Sequence, residues 1–226
     1  MPKFFSILFS IVVISACSGS SGDGNGGASV DRSTLPETSS KFETTPMSFP
    51  NGIATDLHSF GIYNTKCSCS ITHYGWDFTP HWAGYQDNRV PIVAVADGII
   101  VNVVPRATNK YQGQSVDTFV IVEAVARELD VHYTFEPFVE LGETQSLAYI
   151  NVKSGESVKA GDVLGYLPKL SGNLGEHLIH LDFKIGASNI DGTFYCPSNY
   201  FSSAWLSQDS STLLSVAGTC TSLCCE

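Results

Sequence analysis

Two short stretches of this chain hold the residue types that bind and activate a metal ion. The first is His73-Tyr74-Gly75-Trp76-Asp77-Phe78, with a histidine and an acid four positions apart and a glycine between them. Imidazole and carboxylate are ordinary zinc ligands, and a mononuclear hydrolytic site needs one further protein ligand plus an open position for water. Gly75 is expected to let the backbone turn tightly enough for both side chains to reach one ion. The second stretch, roughly a hundred residues later, is Glu176-His177-Leu178-Ile179-His180-Leu181-Asp182-Phe183. It reads as an apolar strand carrying a histidine, His180, able to close the site.

These stretches need a scaffold, and the leader must be set aside first. Met1-Pro2-Lys3 is weakly basic, Phe4 to Val13 is apolar, and Ile14-Ser15-Ala16-Cys17 reads as a lipobox. Residues 1–16 are therefore expected to be a lipoprotein signal peptide and Cys17 the lipidated residue, the apolar run being too short to span a bilayer comfortably. Ser18 after the cysteine points to the outer membrane and the periplasm. Residues 17–46 are rich in Ser, Gly and Thr without apolar periodicity, which predicts a flexible tether. Residues 47–226 suffice for one domain with one core.

Acidic residues outnumber basic ones, 22 against 12, with no Lys/Arg cluster. That excludes a nucleic-acid track, which needs a basic stripe. With Cys17 lipidated, six cysteines remain: Cys67, Cys69, Cys196, Cys220, Cys224 and Cys225. An even number in an exported domain favours disulfides. Bridges within Cys67-x-Cys69 or Cys224-Cys225 would be strained, so long-range links that pin the C-terminal tail are expected. A thiolate metal site is the competing reading. Sequence cannot choose among the pairings.

Short β-rich runs dominate. Pro91 to Ala96 and Ile99 to Val104 flank an Asp97-Gly98 turn signal, and Asp117 to Val125 is followed by Leu129 to Phe135. From Val152 to Tyr166 glycine turns alternate with short apolar stretches, whereas helical periodicity is confined to about Ser202 to Leu214. Met47 to Tyr63 reads as a lead-in with one or two short strands, and Thr79 to Gly84 as a loop. The prediction is an all-β domain, a two-sheet antiparallel β-sandwich of the barrel-sandwich hybrid kind.

Five pieces in order then resemble one family. They are Phe60-Gly61, His73-x-Gly75-x-Asp77, Pro91-Ile92-Val93-Ala94-Val95-Ala96-Asp97-Gly98, Gly155-x-x-Val158-x-x-Gly161-x-x-Leu164-Gly165, and His180-Leu181-Asp182-Phe183. Together they resemble the LytM/lysostaphin-type zinc endopeptidases of bacterial cell walls, the duplicated hybrid motif. The resemblance implies one zinc ion on His73, Asp77 and His180. Asp182 matches an acid that orients a ligand histidine through its other nitrogen.

Two positions depart from the family pattern. The first histidine of the closing His-x-His falls on Leu178, and the histidine of a Tyr-x-His strand falls on Phe135. His177 and His132 are the histidines nearest those places. Each faces the wrong way in an unbroken strand, as does Glu136, so each would need a bulge or register shift to reach the metal. His58 and His81 have no assigned partner.

Two functions follow from the resemblance. One is a lipid-anchored zinc metalloendopeptidase cutting peptidoglycan cross-link peptides. The other is a catalytically degenerate domain of the same fold that binds the wall or regulates a cell-wall amidase. The Gly155 to Gly165 run also looks like the hairpins of lipoyl/biotinyl carrier and efflux-adaptor domains. The chain lacks the presented lysine of a carrier and the heptads of an adaptor.

Overall fold

The structure is a computed structural model that describes residues 41–62, 74–108, 115–124, 129–139, 141–169, 180–187, 194–217 and Leu223. In chain order these form α1 (Ile53–Asp56), β1 (Leu57–Gly61), β2 (Trp76–Pro80), β3 (Arg89–Val93), β4 (Gly98–Thr108), β5 (Ser115–Ala124) and β6 (Leu129–Val139). Then come α2 (Glu143–Ser146), β7 (Ser157–Val158), β8 (Val163–Pro168), β9 (His180–Ala187), β10 (Phe194–Tyr195) and α3 (Ser203–Ala217). The fold is β-rich and antiparallel, as the short β runs predict.

The main sheet has eight strands in the order β1-β2-β9-β6-β5-β4-β7, with β10 also on β9; β3 and β8 form a separate two-stranded sheet. Asp97-Gly98 therefore does not join a hairpin. It carries the chain from β3 in one sheet to β4 in the other, and β4 pairs with β5 and β7 instead. A turn dipeptide specifies a reversal, but the partner of each strand is chosen by burial. Thr79 and Pro80, expected in a loop, belong to β2.

Alternation along three neighbouring strands builds the core. Trp76 pairs with Phe183 and Phe78 with Leu181 across β2–β9. Val131, Tyr133 and Phe135 pair with Ile185, Phe183 and Leu181 across β6–β9. All eight point to one face and are buried. The Tyr133 hydroxyl accepts the Val95 N–H at 2.8 Å and ties this face to the segment after β3. At the other end Trp76 stacks on Phe201 and on Trp205 of α3, with ring centroids 5.3 and 6.1 Å apart. Its indole N–H donates to the Leu223 carbonyl at 3.1 Å.

The folded part begins earlier than the composition suggests. Phe42 is 2% exposed, sits edge-on to Phe201 at 5.4 Å, and donates its N–H to the Tyr200 carbonyl. Residues 41–46 thus belong to the domain rather than to the tether. One aromatic residue in a polar stretch gives no periodicity, yet it recovers enough buried area to hold its neighbours in place.

The signal peptide, Cys17 and tether residues 18–40 lie outside the described residues. So do Cys67, Cys69, Cys220, Cys224 and Cys225. Cys196 is disulfide-bonded; how the cysteines pair lies outside the described residues as well. Among the described residues no helix is long and apolar enough to cross a membrane.

Candidate metal centre

The second face of β2, β9 and β6 carries the chemistry. Asp77 and Thr79 come from β2, His180, Asp182 and Lys184 from β9, and His132, Thr134 and Glu136 from β6. Backbone register sets the rows: Asp77 is opposite Asp182, and Thr134, Glu136 and His132 are opposite Asp182, His180 and Lys184. Polar residues alternating with apolar ones normally mark a solvent-facing side. Here that side is buried too: Asp182 is 1%, Glu136 3% and Lys184 5% exposed.

His180 Nε2 lies 3.8 Å from Asp77 Oδ1 and 3.8 Å from Glu136 Oε1. Two ligands of one tetrahedral zinc ion, each at about 2.0–2.2 Å, stand roughly 3.3–3.5 Å apart. The His180–Asp77 and His180–Glu136 separations are both within about half an ångström of that spacing, and the donors are an imidazole nitrogen and carboxylate oxygens, all accepted by zinc.

Charge points the same way. Three carboxylates (Asp182, Glu136 and Asp77) act on one ammonium, that of Lys184, and Asp130, buried further along the same side of β6, adds a fourth acid to the described residues of this face. Excess negative charge in a largely dehydrated place is costly, and a divalent cation would offset it. Among the described residues no group of three or more His, Cys, Asp and Glu is set as a bound ion would set them. His73, the third expected ligand, lies outside the described residues, as do His177 and Leu178.

The Lys184 ammonium forms a direct ion pair with Asp182. Burial works against its charge, but Asp182, Glu136 and Asp77 outweigh burial, and Lys184 titrates above its ordinary value. Asp182, expected to orient a ligand histidine, thus spends one oxygen on a lysine. Beyond this pair, Phe194 of β10 closes the row. Its ring is 5.4 Å from the His132 ring and 5.7 Å from Lys184 Nζ. Loss of solvent, and then the Lys184 ammonium, lower the His132 pKa to about 4. The cluster is more open at the other end, where the Asp77 side chain is 19% exposed.

Two expectations about faces need correction. His132 and Glu136 require no register shift, since the unbroken β6–β9 pairing already puts them on the side of His180. His132 is opposite Lys184, however, and four residues along β6 from Glu136, about 13 Å of extended strand. Phe135 occupies no place on this side; it is fully buried in the core against the row of Leu181.

Gly75 is needed for a reason other than turning. Its φ is not among the positive values found at Gly52, Gly155 and Gly161. A Cβ on it would lie 2.4 Å from the Phe183 carbonyl oxygen and 2.9 Å from Asp182 Oδ1. The glycine lets the chain entering β2 lie hard against β9. Gly61, opposite Asp77 on β1, does the same on the other flank, because a Cβ there would come 3.1 Å from Asp77 Oδ2. His58 and His81 stack edge to face at 4.9 Å. Lys184 and Thr79 carry no site role in the sequence reading, and Glu136 enters it only as a residue that would need a register shift. A signal for Lys184 exists in the even-numbered positions of His180-Leu181-Asp182-Phe183-Lys184, which are all ionisable.

No protein-family model matches this chain, and no curated protein matches it. Among solved structures it is similar to the antimicrobial peptidase lysostaphin from Staphylococcus simulans, at 21% identity and a TM-score of 0.45 over 69% of this chain and 54% of that one. The chain thus spans about half the length of that lysostaphin. The catalytic domain of the prophage-encoded M23 protein EnpA from Enterococcus faecalis matches at 19% identity and a TM-score of 0.41, over 62% of this chain and 88% of that one. LytU matches at 19% identity and a TM-score of 0.29, over 74% and 90% of the two chains. All three likenesses lie under 25% identity and below a TM-score of 0.5.

Proposed function

We propose that this chain is a zinc-dependent peptidase-like domain of the bacterial cell envelope that acts on the cross-link peptides of peptidoglycan. One observation carries the reading. Segments roughly a hundred residues apart in the chain bring the Asp77 carboxylate and the His180 imidazole within 3.8 Å, on a buried face where acids outnumber the one lysine. His73, Asp77 and His180 would hold the ion.

When bound, zinc supplies a Lewis acid for the scissile carbonyl and lowers the pKa of a water molecule. The residues around it supply rigidity. Asp182 is clamped by Lys184, Thr134 fills the position across from it, and Gly61 and Gly75 leave room for the Asp77 carboxylate and its strand. The lipobox at Cys17 and the tether after it support a lipid anchor on the periplasmic side of an outer membrane, which would bring the wall within reach.

Zinc content of the tether-free domain, measured beside His180→Ala, tests the site, and digestion of purified sacculi tests the activity. One zinc per chain and muropeptide release by the parent only are expected. A metal-free parent would remove the proposal.

A second reading has its own support. Within β2, β6 and β9, His180 is the one described histidine at the Asp77 end of the face, since His132 stands by Lys184. A domain that keeps the ion but lacks histidine general bases would bind the wall or regulate an amidase. Co-sedimentation with sacculi without release would favour it.

A further inference from the structure

We infer that Glu136 is the catalytic carboxylate of this site, taking the proton of the attacking water and returning it to the departing amine. The inference rests on the peptidase reading above. It concerns the group that does the work for which the family pattern uses histidine.

Backbone register, rather than a chance side-chain excursion, sets Glu136 in place. The β6–β9 ladder runs without a break from Leu129 opposite Ala187 to Glu136 opposite His180. The Glu136 carboxylate then reaches to 3.8 Å from His180 Nε2, the same nitrogen that Asp77 approaches from β2. Two carboxylates from strands on either side of β9 therefore flank one imidazole.

The resemblance expects a histidine at position 135, but the strand does not point that position at the site. Phe135 is fully buried on the core face, so a histidine there would be turned away from His180. The residue that β6 directs at His180 is the next one. A carboxylate can accept and deliver the same proton as an imidazole, with a typical gain of about 10²- to 10⁴-fold.

Glu136 is also suited to the task by its surroundings. At 3% exposure it is shielded from bulk water, unlike Asp77 at the open end. The Lys184 ammonium offsets the cost of keeping it there as an anion.

The step balances as a hydrolysis. One water proton passes to Glu136, the water oxygen bonds to the peptide carbonyl carbon, and the carbonyl electron pair moves onto its oxygen. Collapse of that species breaks the C–N bond. The proton moves from Glu136 to the leaving nitrogen, giving an acid, an amine and a regenerated carboxylate.

The experiment compares the parent with Glu136→Gln and Glu136→His. Zinc content and the zinc-induced rise in Tm are measured first, without substrate, and muropeptide release from sacculi second. Glu136→Gln is expected to keep the parent's zinc content and Tm shift while release slows by about 10²- to 10⁴-fold. Glu136→His is expected to retain part of the rate, because an imidazole can carry the same proton. Undiminished release by Glu136→Gln would overturn the inference. So would loss of zinc from that variant, which would make Glu136 a ligand, or a zinc-loaded parent that releases nothing. A parent without zinc fails earlier, at the peptidase reading, and the metal measurement alone identifies that case.

Discussion

At the scale of single residues, the site depends on side chains that are missing as much as on those present. An alanine at position 75 would drive its Cβ to 2.4 Å from the Phe183 carbonyl and 2.6 Å from Lys184 Cγ. Neither β9 backbone nor a clamped lysine can yield cheaply. Gly75→Ala is expected to cost about 3 kcal/mol of stability, read from the urea midpoint, and to weaken metal binding as β2 is pushed off β9. His132 offers a second residue-scale test. Its folded pKa of about 4 lies below the unfolded value near 6.5. In that interval the unfolded chain takes up a proton that the folded chain refuses, so stability falls as pH drops from about 6.5 to about 4, and is unaffected by this group at higher pH. Chemical denaturation of the metal-free protein at pH 7 and pH 4 should show His132→Gln escaping on the order of 2–3 kcal/mol of the parent's loss.

At the scale of elements, β9 is the organising strand, contributing an apolar face to the core and an ionisable face to the site. Lys184→Met would leave Asp77, Glu136 and Asp182 without their ammonium. A loss of about 3–5 kcal/mol is expected by thermal or urea unfolding, and adding Asp182→Asn should recover part of it by removing the orphaned charge. This strand also shows what was legible in the sequence and what was not. Strand periodicity and glycine turns gave the antiparallel β class, and the period of two told which residues of β6 and β9 share a side. It could not tell that the polar side is buried, because alternation looks the same whether water or protein covers it. Nor could it align β6 with β9, so Phe135 drew attention that belonged to Glu136 one position on. The Asp97-Gly98 turn misled for a related reason. Turn chemistry is local, whereas the pairing of β3 with β8 spans the intervening β4 to β7. Residues 41–46 escaped notice because the single aromatic at Phe42 carries the contact.

At the scale of the whole molecule, metal and fold should be linked. A chain that holds uncompensated negative charge inside is stabilised by any cation it binds folded but not unfolded. At zinc concentrations about a hundred times Kd the gain is about 2.7 kcal/mol, visible as a rise in Tm that a chelator reverses. The same rise should vanish in Asp77→Asn and His180→Ala.

The bond from the Trp76 indole to the Leu223 carbonyl has a further reach. Trp76 precedes Asp77 directly, so the residue beyond α3 buttresses the Asp77 carboxylate from behind, through the sheet. Removing residues 218–226 would take away that brace without touching Asp77, Glu136 or His180, and the shortened protein should hold zinc more loosely. Equilibrium dialysis against zinc, run on intact and trimmed material, would reveal a site whose grip is set from the opposite side of the molecule.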